Sequence, residues 1–164
     1  MQRSLFLFFS LSVSVLFLFA CGPKVQQGGS KSIASSEIDE IIYEDWGPPV
    51  APQYNDTYKI ILSLTNQTLA IDSLRSAGIE VEKPLSTADF ERILELKATF
   101  EIELGPEIEV DGCVGGSGHT LTFNKNGEKL MEGLIIDCGG VNRTNIGGNF
   151  FAFRDAIREL AYGN

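Results

Sequence analysis

Hydrophobic and polar positions along this chain fall into three regimes. Leu5 to Leu18 are apolar, interrupted only by Ser10, Ser12 and Ser14. Residues 22–57 are mostly small, polar or acidic, with Gly22, Pro23, Gly28, Gly29, Ser30, Ser32, Ser35 and Ser36 offering little to bury. From Tyr58 onward the pattern alternates between a two-residue and a helical period, which marks a folded unit.

Tyr58 to Leu64 reads as a strand with Ile60, Leu62 and Leu64 on one face. Leu69, Ile71 and Leu74 fit a second strand or a helical turn equally well, and Ile79 to Glu82 alternates like a short edge strand before Pro84. Ser86-Thr87 followed by acids opens a helix over about 87–97, with Phe90, Ile93, Leu94, Lys97 and Phe100 in a rough stripe. Residues 107–138 read as a lead-in strand and a β-hairpin, turned at Asn124-Lys125-Asn126-Gly127 because Gly127 adopts positive φ at low cost. The last element is a helix capped by Asn149, with Phe150, Phe153, Ile157 and Leu160 spaced at three and four residues. Ser36 to Tyr43 fits a short helix inside the polar segment, and Ile41, Ile42, Tyr43 and Trp46 then dock on the domain or on a partner.

The apolar segment ends in Leu18-Phe19-Ala20-Cys21, after Arg3 at its start. This run resembles the lipobox of bacterial lipoprotein precursors, although Phe19 is bulkier than usual there. The resemblance covers residues 1–22 and implies that residues 1–20 are a signal peptide and that Cys21 is the lipidated first residue of the mature chain. An uncleaved membrane helix is the alternative, but a span needs about 20 apolar residues without such interruptions. Gly22 in place of Asp resembles the class sorted to the outer membrane. The expected organisation is residues 1–20 signal peptide, 21–57 lipidated tether and 58–164 domain. A tether of some 36 residues would reach about 30–35 Å as a random coil.

The full chain has a net charge of −9, and losing Arg3 with the signal peptide takes the mature chain to −10. Acids cluster at Glu37–Asp45 and Glu101–Asp111. Such a surface repels phosphate backbones and argues against nucleic acid as a partner. Solubility accounts for the acids, while a cationic partner is the sharper alternative.

With Cys21 lipidated, Cys113 and Cys138 form an even pair in an oxidising compartment, which reads as a disulfide. A four-residue loop over 124–127 sets Cys113 opposite Cys138, and a three-residue loop with a bulge misses by one position, which a bulge at the paired glycines absorbs. A redox pair is disfavoured because catalytic dithiols sit closer in sequence. A metal site of Cys113, His119 and Cys138 with Asp111 or Asp137 lacks the usual ligand spacing. Gly115-Gly116-Ser117-Gly118-His119 misses the nucleophile elbow at its fifth position and lacks the Lys-Ser/Thr of a phosphate loop.

The sequence therefore predicts an α+β domain: a small, mainly antiparallel sheet with two helices on one face, carried on a flexible N-terminal tether. The expected role is a membrane-anchored envelope module that binds or supports a protein partner. No catalytic residues, metal or cofactor are expected. A small hydrolase or thiol enzyme around Cys113, Ser117 and His119 is the rival reading, and an inhibitor of a cationic envelope protein is the third.

Overall fold

A computed structural model describes residues 33–48, 57–73, 78–108 and 116–163. Within them the strands are β1 (Glu40–Trp46), β2 (Tyr58–Ser63), β3 (Thr68–Ser73), β4 (Gly78–Pro84), β5 (Ser117–Lys125), β6 (Glu128–Cys138) and β7 (Val141–Thr144). The helices are α1 (Thr87–Thr99), between β4 and β5, and α2 (Phe150–Tyr162) at the end. All seven strands form one antiparallel sheet in the order β4-β3-β2-β1-β5-β6-β7. Each half is thus a meander running outward from the β1–β5 centre, followed by a thirteen-residue helix.

The domain starts earlier than its expected boundary at Tyr58. Glu40–Trp46, assigned from sequence to the tether and in part to a helix, is the central strand, paired with β2 on one side and β5 on the other. Ser36 caps no helix; Ser35–Glu37 is a single 3-10 turn, and the Glu37 carboxylate accepts from the Ala34 amide at 3.2 Å. Ile41 and Tyr43 are fully buried at alternate positions, so burial of one strand face outweighs the local helix signal. Asp39 adds a further tie, accepting from the Asn126 amide at 2.9 Å across to the β5–β6 turn.

That turn is tighter than expected. Lys125 pairs with Glu128, leaving a two-residue loop with Asn126 at φ 52° and Gly127 at φ 79°. Both positive dihedrals suit the tight hairpin turn that matches strand twist. A bulge beside Phe123 then shifts the register, and Ser117 faces Asp137. The described β5–β6 pairing ends at Ser117 and Asp137. Cys138 is disulfide-bonded; Cys113, like Cys21, lies outside the described residues. The lead-in strand expected near residue 108 falls partly outside them too, and only Leu104 bridges, to Ile146.

Both helices pack on one face of the sheet. Ile41, Tyr43, Ile60, Leu62, Leu69, Ile71, Leu121 and Phe123 alternate inward from four strands to meet Phe90 and Ile93 of α1 and Phe150, Phe153 and Ile157 of α2. Burying each of these large side chains contributes about 1.5–3 kcal/mol. Ser86 caps α1 by accepting from the Asp89 amide at 3.1 Å, and Asn149 caps α2 by accepting from the Ala152 amide at 3.3 Å.

Lys97 sits among these apolar groups. Its Nζ donates to the Ile33 carbonyl at 3.4 Å and lies 5.5 Å from the centre of the Phe123 ring. Burial draws its pKa below the usual lysine value, partly opposed by Glu103. Lys97→Met keeps the length of the side chain and removes a desolvated charge. It is expected to be neutral or to stabilise the fold by about 1 kcal/mol in urea titration. A loss of about 2 kcal/mol would show that the Ile33 contact outweighs the desolvation.

Candidate functional site

Seven strands spaced about 4.8 Å apart make a sheet roughly 29 Å wide, whereas two helices of about 10 Å cover only some 20 Å of it. The uncovered part lies over β5, β6 and β7 beside the start of α2. It forms an open groove of about 550 Å³. Register decides what its floor contains. Ser117 pairs with Asp137, His119 with Ile135, Asp137 with Asn142 and Ile135 with Thr144, so all six point to the helix side of the sheet. Phe150 and Phe151 form the wall, with Asp45 contributed by β1.

Asn145 fixes the rim. Its side-chain oxygen accepts from the Leu134 amide at 2.6 Å, and its Nδ2 donates to the Pro106 carbonyl at 3.0 Å. Segments 100–105 and 145–149 then run together, with the Gly147 amide donating to the Glu103 carbonyl and the Asn149 amide to the Phe100 carbonyl. This pairing sets where α2 begins.

At the inner end of the groove four polar side chains interlock. The Tyr43 hydroxyl lies 3.2 Å from Asp45 Oδ2 and 3.1 Å from His119 Nδ1, and the Tyr58 hydroxyl lies 3.3 Å from the same Asp45 oxygen. His119 Nδ1 is 3.7 Å from Asp45 Oδ2. An ionised carboxylate only accepts, so it takes the protons of both phenols. The Tyr43 oxygen is then free to accept from Nδ1–H. We assign His119 this tautomer, which leaves its Nε2 as a bare acceptor.

Electrostatics favours the neutral ring. Burial is the largest influence lowering the His119 pKa; Arg154 and Arg158 of α2 lower it further, and Asp45 opposes them. Burial likewise raises the pKa values of Tyr43 and Tyr58, so both phenols keep their protons. The imidazole is flanked by Tyr43, Phe150 and Phe151 at centroid distances of 5.9, 5.5 and 6.1 Å. Phe151 itself remains 52% exposed.

Of the residues singled out in the sequence, Ser117, His119 and Asp137 share this groove. No hydrogen bond joins Ser117 to His119 among the described residues. Cys138 follows Asp137 on the strand and so points to the opposite face. Among the described residues no group of three His, Cys, Asp or Glu side chains is placed to hold a metal ion. Sequence reasoning missed Asp45, Tyr43 and Tyr58 as partners of His119; their only local signal was strand alternation in a segment read as tether.

No family model matches this chain, and comparison with curated proteins and with solved structures returns no match.

Proposed function

We propose that this protein is a lipid-anchored envelope lipoprotein whose domain is a non-catalytic binding module, with the groove at the start of α2 as its ligand seat. The anchor rests on Leu18-Phe19-Ala20-Cys21, with Cys21 carrying the lipid and Gly22 favouring the outer membrane. The observation that carries the binding role is the groove floor. Six inward side chains from three strands line an open groove beside the start of α2 and an exposed Phe151. A concave surface mixing apolar walls with a few convergent polar groups is the usual form of a binding site.

Twelve residues, Cys21 to Ser32, separate the lipidated cysteine from Ile33, the first described residue. A Cys113–Cys138 disulfide would close the strand end that borders the groove, and is part of the same proposal.

Labelling cells with a palmitate analogue and partitioning the extract in Triton X-114 tests the anchor. Wild type should carry the label and enter the detergent phase, and Cys21→Ser should lose both. Crosslinked membranes test the groove: a partner retained by wild type should be lost with Phe151→Ala. An unlabelled, water-soluble wild type would overturn the anchor, and an unchanged partner set with Phe151→Ala would overturn the seat.

A hydrolase is the second reading, favoured by one observation: Ser117 and a neutral His119 share the groove. Labelling of Ser117 by a fluorophosphonate, abolished in His119→Ala with the fold intact, would put it first.

A further inference from the structure

Among the described residues the groove is lined by two carboxylates, Asp45 and Asp137, and by no lysine or arginine. Asp45 is occupied by the Tyr43 and Tyr58 phenols. Asp137 is exposed, and among the described residues its carboxylate has no hydrogen-bond or ion-pair partner. The other polar side chains of the lining are Ser117, His119, Asn142, Thr144 and Asn149, all uncharged when the imidazole is neutral, and the apolar walls Ile135, Ile146, Phe150 and Phe151 stand beside them.

The nearby cations do not reverse this balance. Arg154 is turned to Asp155 at 2.7 Å, with its guanidinium 5.0 Å from the centre of the Phe151 ring. Arg158 lies over Tyr58 at 5.9 Å. At the start of α2, the Ala152 amide is taken by Asn149, which leaves the amides of Phe150 and Phe151 as the dipolar donors of the helix end. An anionic ligand would meet the full charge of Asp137 with only those partial charges, and no lysine or arginine among the described lining residues, to offset it. A cationic donor meets the unpaired Asp137 carboxylate, a neutral imidazole and aromatic faces, which must outweigh the repulsion that Arg154 and Arg158 exert at His119.

Resting on the binding-module reading, we propose that the groove takes an ammonium group carried on an apolar or aromatic body. The ammonium is seated between Asp137 and His119 Nε2, and the body lies against Phe150 and Phe151. Carboxylates and ring faces are the groups that recognise such cations. The chain's net charge of −9 adds long-range attraction for them. Two sources share this chemistry, a free small amine and the lysine side chain of a peptide.

The test is calorimetric titration of the full detergent-purified chain, paired with amide NMR. The probes are phenethylamine, the peptide acetyl-Phe-Lys-amide, phenylacetate and N-acetylglucosamine. Phenethylamine or the lysine peptide should bind and shift the amides of Gly118, His119, Asn142 and Phe151. The tighter of the two names the source. Asp137→Asn should weaken that binding about tenfold, while Glu91→Gln, exposed on α1 and outside the groove, should not. Phenylacetate or N-acetylglucosamine shifting those amides while the amines do not would overturn the ammonium assignment and leave the binding module standing. Silence from both amines would overturn the assignment as well; the module is judged separately, by partner retention with Phe151→Ala.

Discussion

Gly148→Ala is expected to destabilise the protein more than any other single-methyl addition at its glycines in the loop before α2. Gly148 has φ 78°, and an added methyl would run into the carbonyl oxygens of Phe100 and Glu101. Both obstacles are backbone, so neither swings aside as a side chain would. An L-residue in the left-handed region costs about 1–2 kcal/mol. Displacing the packed segment adds about 1–3 kcal/mol. The expected total is about 3 kcal/mol or more in urea unfolding, by the addition of those two costs. Gly139→Ala is the control, because Gly139 has φ 60° with nothing within 4 Å of an added methyl. It should cost only about 1 kcal/mol. Equal losses would place the whole effect in the dihedral and remove the steric argument. The variant also bears on function, since the Asn149 amide donates to Phe100 next door and sets the start of the groove wall.

Legibility in the sequence followed how local each determinant was. Helix α2 could be read because its buried Phe150, Phe153 and Ile157 recur at helical spacing and Asn149 supplies the cap within four residues. The β5–β6 hairpin could be placed because Asn126-Gly127 carries its own turn chemistry. Its register could not, because the bulge near Phe123 has no composition signature, and one shifted residue changes every later pairing. Strand β1 was misread because Ser36 and the acids after it imitate a helix start. What overrides them is pairing with β2 and with β5, about 80 positions away. The candidate site inherits that error. Ser117 and His119 share a face by parity alone, whereas Asp45 and Tyr43 reach His119 only once β1 lies at the centre of the sheet.

Tyr43→Phe carries the second large effect, and it tests the proton arrangement directly. Tyr43 is fully buried, and its hydroxyl stands between Asp45 and His119. Phenylalanine keeps the packing but leaves both neighbours short of a hydrogen-bond partner, at an expected cost of about 2 kcal/mol. The chain has one histidine, so its ring protons give one titration curve in NMR. In wild type that curve should lie below the ordinary value of 6.5, with burial as the main cause. The sign for stability follows. The unfolded chain binds the proton more readily, so stability is full above pH 6.5 and is lost as pH falls through the lower folded value. In Tyr43→Phe the Asp45 carboxylate, 3.7 Å from Nδ1, faces the ring without the intervening phenol. An imidazolium there gains a direct ion pair, so the His119 pKa should rise and the acid-side loss of stability should shrink. A titration curve unmoved by Tyr43→Phe would show that the phenol does not mediate between them, and would remove the basis for assigning Nε2 as the free acceptor in the groove.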